Sequence, residues 1–318
     1  MNARKTWDMP DGIYTALITP FRRGEVDRKA WERLVQRQIE GGVAGIVPAG
    51  CTGEAATLTV SEREYLVRSA VEMAKGRCAV VAGAGTNATA STVAMTRAAQ
   101  EWGADAVMLI TPYYNKPQQH GLVAHYRTVA RAVDVPLVLY NVPGRTACNL
   151  LPETAAELSA EPNIVALKEA SGNLEQIERA IGQCDLKVFS GDDGLNFSIF
   201  GLGGRGAVSV VSNLLPGAMV RFWRAWAAGD LNRAWPMSRA FDPVVRACFV
   251  ETNPVPAKEL LSLAGLCERE VRLPLASVTE KSLKSLVQFH EAILSDLMAR
   301  DPADQDDGGA PAAPESRR

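Results

Sequence analysis

Eight short apolar runs alternate with longer amphipathic runs between residues 12 and 229, and this alternation constrains the fold more than any other feature of the chain. The apolar runs are rich in β-branched residues and have the length of buried strands. They are Ile13–Thr19, Gly45–Ala49, Ala79–Gly83, Ala106–Thr111, Leu137–Asn141, Ile164–Lys168, Lys187–Ser190 and Ala207–Val211. Eight strand-then-helix units predict an α/β fold, a (β/α)8 TIM barrel, over residues 12–229.

The longer runs have the spacing of amphipathic helices. They are Arg28–Gly41, Ser61–Lys75, Ala90–Gly103, Gln119–Val133, Pro152–Ala160, Leu174–Gly182, Gly194–Leu202 and Pro216–Ala228. Ser61 followed by Glu64 predicts a capping box at the start of the second helix. An open, doubly wound sheet would also alternate strands with helices, but the sequence lacks the glycine-rich dinucleotide fingerprint after the first strand.

Residues 230–299 contain helical patterns without strands and predict a C-terminal helical domain. The patterns are Leu231–Val245, Ala257–Leu263 and Glu280–Ala299. Residues 300–318 are rich in Asp, Gly, Pro and Ala without periodicity, which predicts a disordered tail.

Composition excludes several classes of partner. A net charge of −2 gives no electrostatic reason to expect binding to nucleic acid or to an anionic membrane.

The chain contains no apolar run near the roughly 20 residues of a membrane span, and Met1–Pro10 has no apolar run, so we expect a cytoplasmic protein. Six cysteines without C-x-x-C pairs predict free thiols, and three histidines without ligand spacing predict no metal site.

Lys168 is the first candidate for catalysis. The run Ile164–Leu167 predicts a buried strand, and residues 171–173 predict the loop after it, so Lys168 lies where the strand ends. Burial disfavours the ammonium form and lowers the lysine pKa toward neutrality, which an amine needs in order to attack a carbonyl. The alternative is that Lys168 turns out to solvent.

Other strand ends carry reactive and hydrogen-bonding groups, and TIM barrels place their chemistry at these ends. In the segment Gly50-Cys51-Thr52-Gly53-Glu54, two glycines let backbone N–H groups approach a carboxylate or an oxyanion. Tyr140 ends a strand and could transfer a proton, although a buried structural tyrosine is the alternative. Arg145 follows on a Pro-Gly loop and suits bidentate carboxylate binding, although it could also be a solvated loop residue.

Six strings of residues, most of them at these strand ends, resemble the 4-hydroxy-tetrahydrodipicolinate synthase family, formerly dihydrodipicolinate synthase. This family belongs to the pyruvate-dependent class I aldolases, which also include N-acetylneuraminate lyase. The resemblance covers residues 12–298. The strings are GCTGEAATL (50–58), TPYYNKP (111–117), LYNVPGRT (139–146), ALKEASGNL (166–174), SGDD (190–193) and NPVPAKELL (253–261).

The resemblance implies a reaction without cofactor or metal. Lys168 would form a Schiff base with pyruvate, and the enamine would add to L-aspartate-4-semialdehyde on the diaminopimelate route to lysine. Tyr140 would relay protons, and Arg145 would hold the semialdehyde carboxylate. Tyr114 matches a tyrosine that a neighbouring subunit inserts into the site, which implies at least a dimer and usually a homotetramer.

Cys51 departs from the family pattern. The family usually has threonine there, as the middle member of the proton relay, and a thiol is a weaker donor and acceptor than a hydroxyl. The resemblance makes Cys51 catalytic, and it makes Thr52, Gly191 and Val208 substrate-binding residues.

Two other functions remain open. Cys51 leaves room for another Schiff-base pyruvate lyase that acts on a different aldehyde, whereas Pro143-Gly144-Arg145 favours the semialdehyde over a sugar. A catalytically silent barrel that binds a keto acid would be favoured if Lys168 or Tyr140 were missing, and both are present.

The resemblance also predicts that lysine inhibits weakly or not at all. In lysine-sensitive relatives a tyrosine, an asparagine, two histidines and a glutamate bind the inhibitor at a subunit interface. Tyr113 and Asn87 match the tyrosine and the asparagine. The histidine positions fall on Val60 and Arg63, and the glutamate position falls on Ser91, which removes the acidic partner of the lysine ammonium and adds a like charge.

Overall fold

Eight parallel strands close into a barrel, as the sequence predicts. The computed structural model describes residues 6–301. The barrel strands are β1 (Gly12–Ala16), β4 (Gly45–Val47), β5 (Ala79–Gly83), β6 (Ala106–Ile110), β7 (Leu137–Asn141), β8 (Ile164–Glu169), β9 (Lys187–Ser190) and β10 (Gly206–Ser209), and a small hairpin is formed by β2 (Phe21–Arg22) and β3 (Glu25–Val26). Strand β1 pairs with β4 on one side and β10 on the other, which rules out an open sheet.

The strands are mostly apolar because side chains on both faces are buried. One face fills the barrel with a cluster that includes Tyr14, Tyr140, Phe189 and Val208. The other face packs against helices that follow the strands. Since neighbouring strands are parallel, their carboxyl ends meet at one rim of the barrel, where the predicted site residues should converge.

Eight barrel helices lie close to their predicted bounds, and a short ninth helix forms where the sequence predicts a Pro-Gly loop. They are α1 (Arg28–Glu40), α2 (Val60–Ala74), α3 (Thr89–Glu101), α4 (Gln119–Ala130), α5 (Pro143–Thr146), α6 (Pro152–Leu158), α7 (Leu174–Gln183), α8 (Asn196–Gly201) and α9 (Pro216–Ala227). The capping box of α2 is formed by Thr59 and Glu62, so the predicted pair, Ser61 and Glu64, is wrong by two residues. The Thr59 hydroxyl accepts from the Glu62 N–H, and the Glu62 carboxylate accepts from the Thr59 N–H.

Helices alone follow the barrel. They are α10 (Leu231–Cys248), α11 (Val255–Leu263), α12 (Glu280–Phe289) and α13 (Ser295–Ala299), with a π-helical turn at His290–Leu294. Asp301, within the predicted tail, is buried and accepts from the N–H groups of Gly217 and Ala218 at the start of α9. Residues 302–318 of that predicted tail lie outside the described residues. None of the helices in residues 6–301 is long and apolar enough to cross a bilayer.

Candidate active site

Lys168 lies inside the barrel rim beside Tyr140. The two residues are direct neighbours in the pairing of β7 with β8, so their side chains point to the same face of the sheet. Lys168 is 5% exposed, and its Nζ atom lies 4.1 Å from the centroid of the Tyr140 ring. The alternative in which Lys168 turns out to solvent is therefore wrong.

The surroundings of Lys168 favour the neutral amine. The pKa of Lys168 is lowered to about 8, mainly by burial, while Cys51 and Asp193 oppose the shift and the Arg145 guanidinium makes a small contribution to it. Burial also lowers the pKa of a second lysine, Lys258, but there the ammonium forms an ion pair with Glu54, which opposes the shift. Lys168 is thus the buried amine that can become a nucleophile near neutral pH.

Tyr140 retains its phenolic proton over the same range. Burial raises the pKa of Tyr140, the neighbouring Cys51 raises it further, and Arg145 lowers it. A neutral phenol can donate a proton and accept one in the same step. Cys51 and Arg145 both influence the pKa values of Tyr140 and Lys168, so all four predicted residues lie in one neighbourhood of the barrel.

Gly191 makes room for the lysine side chain. A Cβ atom at this position would lie 3.0 Å from Cε of Lys168 and 2.7 Å from Cβ of Ala170. A larger residue at this position would crowd the side chains of Lys168 and Ala170. Val208, on β10, is buried in the same interior cluster as Tyr140.

The loop after β4 is held in a tight conformation. Thr19 donates from its hydroxyl to the carbonyl of Gly53 at 2.7 Å, and Glu54 adopts a left-handed backbone with φ of 54°. Cys51 is partly exposed, and Thr52 is buried with its Oγ1 atom accepting a hydrogen bond from Nδ2 of Asn253 at 2.9 Å. The loop therefore holds the Cys51 thiol near enough to Lys168 to influence its pKa, and it fixes the Thr52 hydroxyl against Asn253.

Arg145 lies on the short helix α5 and is exposed. Its Nη2 atom donates to the main-chain carbonyl of Asn253 at 3.3 Å, which leaves other guanidinium N–H groups for a ligand.

Tyr114 differs from the other predicted residues in its exposure to solvent. It is 87% exposed on a left-handed backbone with φ of 77°, so its ring stands out from the surface of the chain.

A hydrogen-bond network behind the sheet holds the strand ends together. Nδ2 of Asn141 donates to the two Glu169 carboxylate oxygens at 3.2 and 3.0 Å, and the N–H of Ser171 donates to the same carboxylate at 2.7 Å. Burial raises the pKa of Glu169, and these hydrogen bonds oppose that shift. Because Asn141 and Glu169 follow Tyr140 and Lys168 in their strands, the network fixes the register of the reactive pair.

The residues missed by sequence reasoning come from the C-terminal helices. Asn253 bonds both Thr52 and Arg145, and Lys258 pairs with Glu54 at 2.6 Å. The string NPVPAKELL contains both residues, but nothing local in it indicates which part of the barrel they contact. Only the similarity of that string to the family could have drawn attention to these two residues.

The chain matches the model of the dihydrodipicolinate synthetase family over residues 9–293. A 4-hydroxy-tetrahydrodipicolinate synthase from Maridesulfovibrio salexigens is 46% identical over 278 residues, which are 86% of this chain and 95% of the relative. A crystal structure of dihydrodipicolinate synthase from Thermotoga maritima has a TM-score of 0.87 at 40% identity, covering 92% of this chain and 99% of that one. A structure of the enzyme from Cyanidioschyzon merolae with lysine bound has a TM-score of 0.87 at 39% identity, covering 92% and 100%. The similarity thus extends over nearly the whole length of each relative.

Proposed function

The chain belongs to the dihydrodipicolinate synthetase family, and from this premise we propose that it is a lyase that condenses pyruvate with L-aspartate-4-semialdehyde. The product of this reaction feeds the diaminopimelate route to lysine. The observation that carries the proposal is the buried amine of Lys168, whose pKa is lowered to about 8, beside the phenol of Tyr140.

The chemistry begins at the neutral amine of Lys168. Its Nζ attacks the C2 carbonyl of pyruvate and water leaves, which gives a Schiff base. Loss of a C3 proton turns the Schiff base into an enamine, whose C3 attacks the aldehyde carbon of the second substrate. Tyr140 supplies and removes the protons, with Cys51 as its neighbour in the relay. Hydrolysis or an internal amine exchange then frees Lys168.

The remaining residues bind the two substrates. Thr52 receives the pyruvate carboxylate, Gly191 and Val208 border the bound pyruvate, and Arg145 binds the carboxylate of the semialdehyde. A coupled assay with pyruvate and a panel of aldehydes tests this assignment. We expect aspartate semialdehyde to exceed every sugar-derived aldehyde in kcat/KM. A sugar-derived aldehyde as the best acceptor would instead support a different pyruvate lyase, the alternative that Cys51 leaves open.

We expect Schiff-base formation to accelerate as the pH rises through about 8. Below that pH Lys168 is mainly an ammonium ion without a lone pair, and above it the neutral amine predominates and the rate levels off. The measurement incubates enzyme and pyruvate at each pH and quenches samples into borohydride at one fixed pH. A rate that fell across this range would contradict the lowered pKa.

Arg145→Ala is expected to raise the KM for the semialdehyde by about ten- to a hundredfold, because hydrogen bonds to a charged group contribute roughly 1.5–3 kcal/mol. The pyruvate concentration that half-saturates Schiff-base formation should change much less. Steady-state kinetics and borohydride trapping measure the two quantities separately. An equal loss for both substrates would show that Arg145 has a structural role instead.

We also propose that Tyr114 completes the site of a neighbouring copy, in at least a dimer and, by similarity to the family, in a homotetramer. Its 87% exposure on a fixed backbone leaves the ring available to a second chain. Sedimentation of the active enzyme as monomers would contradict this proposal.

The six cysteines are free. Free thiols are typical of proteins in a reducing cytoplasm, and we propose that the enzyme acts there.

L-lysine is expected to inhibit weakly or not at all. Arg63 donates to the main-chain carbonyls of Gly83 and Ala55. These hydrogen bonds hold its positive charge at a position where relatives that bind lysine have histidine. Ser91 is exposed and offers no carboxylate. A like charge at about 5 Å costs roughly 3 kcal/mol, more than a hundredfold in affinity. Titration of L-lysine in the steady-state assay measures this, and inhibition in the submillimolar range would show the prediction to be wrong.

A further inference from the structure

Asn253 contacts both substrate-binding elements of the site, although it belongs to the helical region after the barrel. Its side-chain Nδ2 donates to Oγ1 of Thr52 at 2.9 Å, and its main-chain carbonyl accepts from Nη2 of Arg145 at 3.3 Å. Asn253 is 5% exposed and its hydrogen bond with Thr52 is buried, whereas its hydrogen bond with Arg145 is partly buried. A single residue thus joins the proposed pyruvate-binding hydroxyl to the proposed acceptor-binding guanidinium.

The contact with Thr52 determines what that hydroxyl can do. A threonine hydroxyl has one proton to donate and two lone pairs that accept. Because the Asn253 amide occupies a lone pair, the Thr52 proton remains available for another acceptor. The carboxylate of pyruvate is such an acceptor, and a hydrogen bond to a charged group is about twice as strong as one between neutral groups.

Stability alone does not explain Asn253. Its Oδ1 atom is buried and has no hydrogen-bond partner among residues 6–301. A buried acceptor without a partner costs free energy, and an apolar side chain of similar size would avoid that cost. A need for the Nδ2 donor at Thr52 would explain why an asparagine stands at this position despite the cost of its unpaired Oδ1.

A buried ion pair fixes the same two segments to each other. Glu54 lies two residues after Thr52, and Lys258 lies five residues after Asn253. Their side chains are fully buried, with Nζ 2.6 Å from Oε1, and the other Glu54 oxygen accepts from the N–H of Arg272 at 3.0 Å. The segment that carries Asn253 is therefore anchored to the loop that carries Thr52 at two points.

We propose that Asn253 is a positioning residue, whose side chain orients the Thr52 hydroxyl toward the pyruvate carboxylate and whose main chain anchors Arg145. The proposal rests on the proposed function for pyruvate as the first substrate. It does not depend on which aldehyde is the second substrate.

The test measures the pyruvate concentration that half-saturates borohydride trapping, without any aldehyde. Asn253→Ala and Thr52→Val are each expected to raise this concentration by about tenfold. Because Asn253 acts through Thr52, the double variant should be raised by about tenfold as well, rather than by about a hundredfold. The KM of Asn253→Ala for the semialdehyde should change by less than about threefold, because the main-chain contact with Arg145 remains.

Asn163→Ala is the matched control. Asn163 is also a buried asparagine, and its Nδ2 donates to the carbonyls of Ala130 and Val133 at the opposite end of β8. Its loss should lower the stability but leave the half-saturating pyruvate concentration unchanged. Asn253→Leu has a side chain of similar size and removes the donor without adding a charge, so it replaces Asn253→Ala if that variant does not fold.

Additive effects of the Asn253 and Thr52 substitutions, or an unchanged pyruvate concentration in both Asn253 variants, would overturn the proposal. Failure of the proposed function gives a different result. If the wild-type enzyme traps pyruvate but does not use the semialdehyde, the assigned acceptor is wrong, and the comparison of Asn253 with Thr52 still decides the role of Asn253.

Discussion

An enzyme that carries Lys168→Arg is expected to form no covalent adduct with pyruvate and to lose activity by more than about a thousandfold. Arginine keeps the positive charge and much of the length of lysine, but its guanidinium stays protonated and cannot form a Schiff base. The coupled assay measures the loss of activity, and mass spectrometry after borohydride reduction measures the adduct.

Lys284→Arg is the matched control, because it makes the same chemical change on an exposed face of α12. Its activity and its adduct should equal those of the wild-type enzyme. Retention of a pyruvate adduct by Lys168→Arg would place the reactive amine elsewhere in the chain.

Lys258→Met is expected to lower the free energy of unfolding by about 3–5 kcal/mol. The Glu54–Lys258 pair is fully buried, so removal of the lysine leaves a carboxylate without a counterion away from water. Burial lowers the pKa of Lys258 and the ion pair with Glu54 opposes this shift. Unfolding in denaturant measures the change in stability.

Two comparisons sharpen this prediction. The double variant Glu54→Gln with Lys258→Met removes both charges and should recover a large part of the lost stability. Arg68→Met breaks the ion pair with Glu64, whose N–O distance is 2.8 Å but whose side chains are both exposed, and it should change stability by no more than about 1 kcal/mol. Equal effects of Lys258→Met and Arg68→Met would contradict the importance assigned to burial.

The barrel could be predicted because local patterns determine its elements. The predicted bounds of β5, β7 and β9 match the structure, since Gly, Pro or polar residues end each apolar run close to the end of its strand. The first strand was predicted to reach Thr19 but ends at Ala16. Beyond it, the N–H of Ile18 donates to the Asn213 side chain and Thr19 donates to the Gly53 carbonyl. Such distant partners cannot be identified from the pattern of the run.

The position of the proposed reactive centre was also predictable from sequence, because Tyr140 and Lys168 both lie one residue before the end of a barrel strand. The residues that hold this centre in place could not be predicted from sequence. Asn253 and Lys258 contact the loop after β4 across about 200 residues of chain, and no periodicity or spacing indicates that contact. The cost of burying their polar groups becomes visible only when the structure gives their exposure and their partners.

Borohydride trapping with peptide mapping tests the central claim most directly. Enzyme, pyruvate and borohydride are mixed without aldehyde, the protein is digested, and the modified peptide is sequenced by mass spectrometry. The structure predicts one adduct per chain, on Lys168, because this buried amine lies at the barrel rim beside Tyr140. An adduct on another lysine, or no adduct with an enzyme that turns over pyruvate, would contradict the proposed mechanism.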